Sequence, residues 1–219
     1  MISGPVVAPR SGRPARQLVV LLHGYGADGE DLIGLAQPWG EAMPDALFVA
    51  PNAPARCGQN PFGYEWFAID FSAMRESAGV GVPLARQVVV EYLDDTWRRT
   101  GLGPAETLLT GFSQGAMLAL HVGLSLSEPP LGIVSFSGAL VPPPGSEDGT
   151  LPRPPVCLIH GDIDPVVDPA LTQQAAEALG VLGYPVSLHV SRGLAHGISP
   201  DGLDFATDFM LGRLAAASD

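Results

Sequence analysis

Short runs of apolar residues recur along the chain, separated by segments long enough to form helices. The first run begins at Gln17, and the others occupy residues 46–50, 107–109, 132–136, 156–159 and 186–190. A short continuous apolar run bounded by turn residues is typical of a strand that is buried on both faces. The alternation of such strands with helices predicts an α/β fold, with a mostly parallel central sheet and helices on both faces.

The segments between these runs divide into helices and loops. We expect helices over residues 83–99, 114–126, 169–180 and 203–216, and a loop at 51–63, where proline and glycine are frequent. Residues 141–155 hold too many prolines to pack and predict an exposed connection, while the aromatic segment 64–71 follows no regular period. These features favour one domain over residues 17–219, preceded by an N-terminal extension, residues 1–16, that packs on or near it.

Composition and charge exclude several classes of function. Hydrophobic residues make up 46% of the chain, enough for a sizeable core, and 11 basic against 23 acidic residues give a net charge of −12. An acidic surface argues against nucleic acid or an anionic membrane as the main partner, because binding to phosphates requires basic side chains. Every basic residue is arginine. The absence of lysine excludes Schiff-base, Ser-Lys and P-loop chemistry.

The cysteines and the apolar runs bear on location and metal binding. Cys57 and Cys157 lie far apart without metal-type spacing, so we expect buried free thiols and no disulfide or metal site. Nowhere do 18 apolar residues follow one another, and the N-terminal residues mix glycine, proline and arginine. These observations predict a cytoplasmic protein without integral membrane association.

One serine lies between two glycines at the point where a predicted strand gives way to a predicted helix. Residues 111–115 read Gly-Phe-Ser-Gln-Gly, which fits the G-x-S-x-G elbow that strains a nucleophilic serine and exposes its Oγ. Ser113 is therefore the candidate nucleophile. The alternative is an ordinary serine at a tight turn or helix cap.

A serine hydroxyl is a weak nucleophile near neutral pH and needs a general base. His196 is the best candidate, because it lies in a glycine-bracketed loop between the last predicted strand and the last predicted helix. His121 and His189 fall inside regular elements, and His23 and His160 each stand before a glycine directly after a strand. We interpret these last two as scaffolds for their loops.

The base needs in turn a carboxylate that fixes its tautomer, in the chain order Ser, Asp, His. Asp164 lies after the strand at 156–159, at a carboxyl end where parallel sheets collect ligands. It is preferred over Asp162, since Pro165 gives a rigid turn behind it, and Asp162 is expected to brace the loop. The candidate catalytic residues are thus Ser113, Asp164 and His196.

Acyl transfer also requires two N–H groups aimed at the developing oxyanion. One is the backbone N–H of Gln114, the residue after the nucleophile. The other is predicted at Tyr25, between Gly24 and Gly26 in the glycine-rich loop that follows the first strand. That loop is neither G-x-G-x-x-G nor a Walker motif, so a phosphate site is a poor alternative.

Four motifs, HGYG, GFSQGA, GDIDPVV and GLAHGI, occur in this order across nearly the whole chain. In them the sequence resembles the small carboxylesterase, lysophospholipase and acyl-protein thioesterase family of α/β-hydrolases. The resemblance implies Ser113 as nucleophile, His196 as base, Asp164 as orienting acid, and Tyr25 and Gln114 as oxyanion donors. It also implies an enzyme without a large lid, metal or other cofactor, acting on a small-molecule ester, and raises a homodimer as an expectation.

The sequence departs from the family where members usually carry a compact W-[FY]-D motif. Here Trp66-Phe67 is followed by Ala68, Ile69 and Asp70, so the acyl pocket is expected to differ. The predicted substrate-binding residues are Trp66, Phe67, Ile69, Val166 and Leu194.

Three functions compete on this basis. The main hypothesis is a serine carboxylesterase that hydrolyses short-to-medium acyl esters through an acyl-enzyme. Lysophospholipase or acyl-protein thioesterase activity on long chains shares the same chemistry and differs only in pocket shape. A non-catalytic binding protein of hydrolase fold is the third, although such proteins usually lose a member of the triad and this chain has the full set.

Overall fold

A computed structural model describes residues 2–70, 72–146 and 148–217. These described residues form nine strands and six helices, with a short 3-10 helix at Pro104–Glu106. The strands are β1 (Val6–Val7), β2 (Gln17–Leu22), β3 (Ala46–Val49), β4 (Ala55–Arg56), β5 (Tyr64–Glu65), β6 (Thr107–Phe112), β7 (Gly132–Phe136), β8 (Val156–Gly161) and β9 (Val186–Ser191). The helices are α1 (Gly29–Ile33), α2 (Ala36–Ala42), α3 (Met74–Thr100), α4 (Gln114–Gly123), α5 (Pro169–Val181) and α6 (Pro200–Ala216).

Seven strands form one sheet in the order β1-β3-β2-β6-β7-β8-β9. β1 pairs antiparallel with β3 at one edge, and all other neighbours in this sheet are parallel. The carboxyl ends of the parallel strands therefore meet along one edge, where the loops after β2, β6, β8 and β9 lie. The mostly parallel sheet predicted from the alternating pattern is confirmed.

The sheet separates two apolar cores. Residues of α3, α4 and α5 pack on one face, with Val82, Leu118 and Leu179 among the buried side chains. Residues of α1, α2 and α6 pack on the other, with Trp39 and Met210 buried. The strands supply alternate residues to the two cores, because successive side chains point to opposite faces. Both faces of the sheet are thus covered, which explains why its strands read as continuous apolar runs.

Helix α3 begins nine residues before the predicted start at Pro83. Proline is typical of a first helical turn, and Gly79 and Gly81 make the preceding residues poor helix formers. Tertiary packing overrides this preference: a methyl group added at Gly81 would lie 2.4 Å from the ring of Phe67. The close approach requires glycine there, so the weak local signal has a packing reason.

Two short strands, β4 and β5, form an antiparallel hairpin inside segments that the sequence left irregular. The hairpin contacts the loop after β2, since the N–H of Gly26 donates to the carbonyl of Tyr64 and the N–H of Tyr64 to the carbonyl of Ala27. Two-residue strands carry too few residues for a period to be read from sequence. Among the described residues, no helix is both long and apolar enough to cross a membrane.

Candidate active site

Ser113 occupies a strained turn between β6 and α4. Its φ of 53° and ψ of −116° lie in a region that residues other than glycine rarely adopt. The side chain makes no capping hydrogen bond to α4, all of whose residues the structure describes. The geometry therefore favours the nucleophile elbow over an ordinary helix cap.

The two glycines of the elbow are required by close backbone approaches. A methyl group added at Gly111 would lie 2.2 Å from the carbonyl oxygen of Gly115, and one added at Gly115 would lie 2.0 Å from the carbonyl oxygen of Leu22. Both distances are shorter than any real carbon contact. The strand and the helix meet at this angle only because neither position carries a side chain.

Asp164 and His196 are in direct contact at the ends of β8 and β9. Asp164 Oδ2 lies 2.6 Å from His196 Nδ1, and the Asp164 side chain is fully buried. With Nδ1–H donated to the carboxylate, Nε2 is the imidazole atom left to accept a proton. The His196 ring packs on Phe112, the residue before Ser113, with 4.8 Å between ring centroids.

The Asp164 carboxyl is held in its ionised form by hydrogen bonds. Burial alone would raise its pKa, but donation from His196 and from the amides of Val167 and Val166 outweighs burial and leaves the pKa below its ordinary value. Asp162, in contrast, accepts the N–H of Gly193 at 2.6 Å and so braces the loop that carries His196.

A second strained serine follows the neighbouring strand β7. Ser137 has a φ of 50°, is fully buried, and its Oγ lies 3.5 Å from the carbonyl oxygen of Gly197. This contact joins the end of β7 to the residue after His196. No motif distinguishes Ser137 in the sequence, because backbone strain leaves no local sequence signal.

The loop after β2 lies beside the elbow. A methyl group added at Gly24 would lie 3.5 Å from Ser113 Cβ. His23 holds the loop: its Nδ1–H donates to the Gly24 carbonyl at 2.8 Å, and its Nε2 accepts the N–H of Ala53 at 3.0 Å. Only the neutral imidazole can make both bonds, and burial lowers the pKa of His23 accordingly.

Tyr25, the candidate oxyanion donor of this loop, has its side chain fixed against the β4–β5 hairpin. A hydrogen bond with Cys57, burial and the nearby Glu65 carboxylate together raise the pKa of the Tyr25 hydroxyl.

Gln114 has a role that the sequence analysis missed. Its side chain is fully buried, where Oε1 accepts the N–H of Trp66 at 2.8 Å and Nε2 donates to the Phe67 carbonyl at 2.7 Å. Gln114 thus ties the aromatic segment to the elbow. As the first residue of α4 it also leaves its own backbone N–H without a partner inside the helix, as expected for an oxyanion donor.

A mostly apolar cavity of about 470 Å³ opens between the start of α3, the residues after β7, and α5. Met117, one turn after Ser113 on α4, lies in its wall. The lining residues are Met74, Arg75, Ala78, Met117, Ala139, Leu140, Val141, Val166, Asp168, Leu171, Gln174, Ala175 and Ala178.

The five predicted substrate-binding residues lie in several different parts of the structure. Val166 lines the cavity, whereas Trp66 and Phe67 line a separate depression beside α3. Ile69 packs against the core on the α3 face, and Leu194 is half-buried in the loop before His196. Among the described residues, no three His, Cys, Asp or Glu side chains are grouped so as to hold a metal ion.

The lowered pKa values of three buried histidines predict how the free energy of unfolding depends on pH. Burial lowers the pKa of His23, His121 and His160 below the ordinary value near 6.5. Below about pH 6.5 the unfolded chain binds protons that the folded chain does not, so stability is complete above this pH and falls as the pH decreases through it. We expect the urea midpoint to decrease steadily between pH 7.5 and pH 5.5.

Equilibrium unfolding across this range checks the expectation. In His121→Gln the urea midpoint should decrease less over this pH range, because the substitution removes one of the three histidines whose pKa is lowered by folding. A midpoint that does not change between pH 7.5 and pH 5.5 would contradict the assignment of neutral histidines.

The chain is similar in sequence and in fold to known proteins. Residues 4–212 match the family model described as Phospholipase/Carboxylesterase. Esterase YpfH of Escherichia coli K12 is 31% identical over 202 residues, covering 90% of this chain and 83% of that protein. Acyl-protein thioesterase 1 of Neurospora crassa is 28% identical, covering 98% of this chain and 94% of its own. The crystal structure of esterase PE8 is 50% identical, with a TM-score of 0.93 over 97% of this chain and 99% of that one.

Proposed function

Because the chain belongs to the phospholipase/carboxylesterase family and is an ester hydrolase, we propose that it cleaves small carboxylic esters through an acyl-enzyme on Ser113. The observation that carries this assignment is the strained Ser113 elbow next to the His196–Asp164 pair. Tyr25 and Gln114 are the proposed oxyanion donors.

The proposed reaction begins with attack of Ser113 Oγ on the ester carbonyl carbon. His196 Nε2 takes the hydroxyl proton during attack and returns it to the departing alcohol oxygen when the tetrahedral intermediate collapses. Water, deprotonated by the same imidazole, then attacks the acyl-enzyme and releases the acid and free Ser113. Asp164 holds the ring in the tautomer that both steps require.

The buried carboxylate also stabilises the imidazolium formed in each step. Its opposite charge lies 2.6 Å from His196 Nδ1, where screening by solvent is weak because the Asp164 side chain is fully buried. The two backbone N–H groups stabilise the oxyanion, and each such donor contributes on the order of 3 kcal/mol in acyl transfer.

The cavity between α3 and α5 is the proposed site of the acyl chain. Met117 lies one turn from the nucleophile and Val166 two residues from Asp164, so two residues of the cavity wall are close in the chain to the proposed triad. Its apolar lining suits an alkyl chain, and each buried methylene contributes about 0.8 kcal/mol. In this proposal, the length of acyl chain that the cavity can hold determines the substrate specificity.

A substitution in the cavity wall tests this placement. Leu171→Trp adds bulk to the half-buried first turn of α5 and should lower kcat/KM for long p-nitrophenyl esters about tenfold or more, while leaving the acetate ester nearly unchanged. The measurement is kcat/KM from acetate to palmitate without added metal. The matched control is Val181→Trp, because Val181 lies on the same helix and is 88% exposed. This substitution should not change the dependence of kcat/KM on chain length.

A second substitution, Phe67→Ala, tests whether the acyl chain binds in this cavity or beside the aromatic segment. A changed chain-length preference in Phe67→Ala, with none in Leu171→Trp, would place the acyl chain in the depression lined by Trp66 and Phe67 instead.

The ester series also separates the two substrate classes. A maximum at short-to-medium chains supports the carboxylesterase proposal, and a maximum at palmitate favours a lysophospholipid or an acyl-thioester.

The relatives named acyl-protein thioesterase support the long-chain alternative. The net charge of −12 opposes it for anionic lipid surfaces, because like charges repel. The proposal further includes a cytoplasmic enzyme, in agreement with two free buried cysteines, and a homodimer, which light scattering of the purified protein would test.

A further inference from the structure

A second histidine contacts the same carboxylate oxygen as His196. His160 Nε2 lies 3.0 Å from Asp164 Oδ2, and His196 Nδ1 lies 2.6 Å from this atom. The His160 side chain is 1% exposed and that of Asp164 is fully buried. One buried oxygen therefore accepts hydrogen bonds from two imidazole rings.

The other oxygen of the carboxylate is occupied by backbone. Asp164 Oδ1 accepts the N–H groups of Val166 at 2.8 Å and Val167 at 3.0 Å. An ionised carboxyl group has about four acceptor positions, and here two amides and two imidazoles fill them. His160 supplies one of these four donors, and no other side chain besides His196 does so among the described residues.

The far side of the His160 ring is also held. Its Nδ1 contacts the hydroxyl of Thr172, and Thr172 Oγ1 lies 3.2 Å from the Gly138 carbonyl oxygen. Its Nε2 also lies 3.0 Å from the Val167 carbonyl oxygen. Asp164 is thereby connected through His160 to Thr172 on α5, and the ring cannot turn without breaking contacts on both sides.

We propose that His160 is a positioning residue for the reaction: its Nε2–H fixes the Asp164 carboxylate toward His196 and withdraws negative charge from the oxygen that the two rings share. This inference rests on the proposed function, since it concerns the base of that reaction. The titratable groups that act on His160 are Asp164 and His196. Burial lowers the pKa of His160, so the ring is neutral and donates a single proton.

Loss of the donor has two consequences. The carboxylate keeps three of its four donors and is held less firmly toward His196, which lowers kcat, and Oδ2 carries more negative charge, which favours the protonated form of His196. The acid limb of the kcat/KM profile, where the base becomes protonated, should then move to higher pH. A residue that only supports the fold would change the unfolding temperature and leave both quantities as they are.

Two substitutions separate the ring's two contacts. The amide nitrogen of glutamine can occupy the position of imidazole Nε2, whereas that of asparagine reaches only the position of Nδ1. His160→Gln therefore keeps a donor for Asp164, and His160→Asn keeps only a partner for Thr172. Thr172→Val removes the far contact, so the ring keeps its Nε2–H but is no longer held against Asp164 from the Thr172 side.

The experiment measures kcat, KM and the pH profile for a p-nitrophenyl ester, with the thermal unfolding of each variant. For His160→Asn we expect kcat to decrease about tenfold or more with little change in KM, and the acid limb to move up by roughly half to one pH unit. His160→Gln should recover most of kcat and the wild-type limb. Thr172→Val should have the smaller effect on kcat.

Two outcomes would overturn the inference. One is a wild-type pH profile and kcat in folded His160→Asn; the other is an equal loss in His160→Gln and His160→Asn, which would mean that packing of the ring matters and its donor does not. If either variant fails to fold, Thr172→Val decides, since a shifted limb supports the connected chain and an unshifted limb contradicts it. His196→Ala keeps the tests separate: activity retained there refutes the proposed function itself.

Discussion

Replacing Ser113 with alanine is expected to reduce kcat for ester hydrolysis by about 10⁴-fold or more, because no acyl-enzyme forms without the hydroxyl. The substitution removes one oxygen from a turn whose backbone is fixed by Gly111 and Gly115, so the fold should remain. Steady-state kinetics with p-nitrophenyl acetate measures the loss. Covalent labelling with a fluorophosphonate should disappear in the same variant.

Ser137 offers a matched control for this experiment. It shares the strand-end position and the positive φ of Ser113, but its Oγ contacts a backbone carbonyl in the His196 loop. Ser137→Ala should therefore lose at most about tenfold in kcat and keep fluorophosphonate labelling. Activity retained in Ser113→Ala, or labelling lost only in Ser137→Ala, would contradict Ser113 as the nucleophile.

Asp164→Asn is expected to lower kcat by about 10³- to 10⁴-fold, the second largest effect. An asparagine of the same shape can donate to His196 Nδ1 and so favours the wrong tautomer, with the proton on Nε2. The depressed pKa of the Asp164 carboxyl also gives the folded protein stability that is present above about pH 4 and lost as the pH falls through the native value. The variant should lack this part of the acid sensitivity.

Measurement of kcat between pH 6 and pH 9 and of the urea midpoint between pH 5 and pH 3 checks both parts. Asp162→Asn is the matched control: residue 162 lies two residues away, its side chain accepts a hydrogen bond from the amide of Gly193, and the variant should retain most of kcat. A larger loss in Asp162→Asn than in Asp164→Asn would reverse the proposed assignment of the two carboxylates.

The parallel strands of the sheet were predictable because their signal is local, whereas the exposed edge strand β1 was not predicted. Each buried strand reads as an apolar run, and β7 spans the predicted residues 132–136. Helix α3 was predicted nine residues too short, since its first turns contain glycines that are required by contact with Phe67. The hairpin of β4 and β5 is too short to show a period, and only its contacts with the loop after β2 reveal it.

The candidate site divides in the same way. The Ser-Asp-His order and the glycines around Ser113 are visible in the motifs, because each motif is a short segment after a strand. The prediction of Asp164 in preference to Asp162 rests on Pro165 in one of these segments. The buried side chain of Gln114 shows no comparable signal, because its partners at Trp66 and Phe67 lie 48 and 47 residues away. The second imidazole on Asp164 was interpreted only as a scaffold for its loop.

The sequence by itself determined the α/β architecture, the family and the order of the chemical groups along the chain. These follow from side-chain periodicity and from short motifs whose residues are neighbours in the chain. Only the tertiary structure decided which walls enclose the cavity, where Tyr25 and Gln114 place their side chains, and that His160 shares a carboxylate oxygen with His196. Such contacts depend on how separate segments cross and which rotamers their packing selects, and no local pattern records that information.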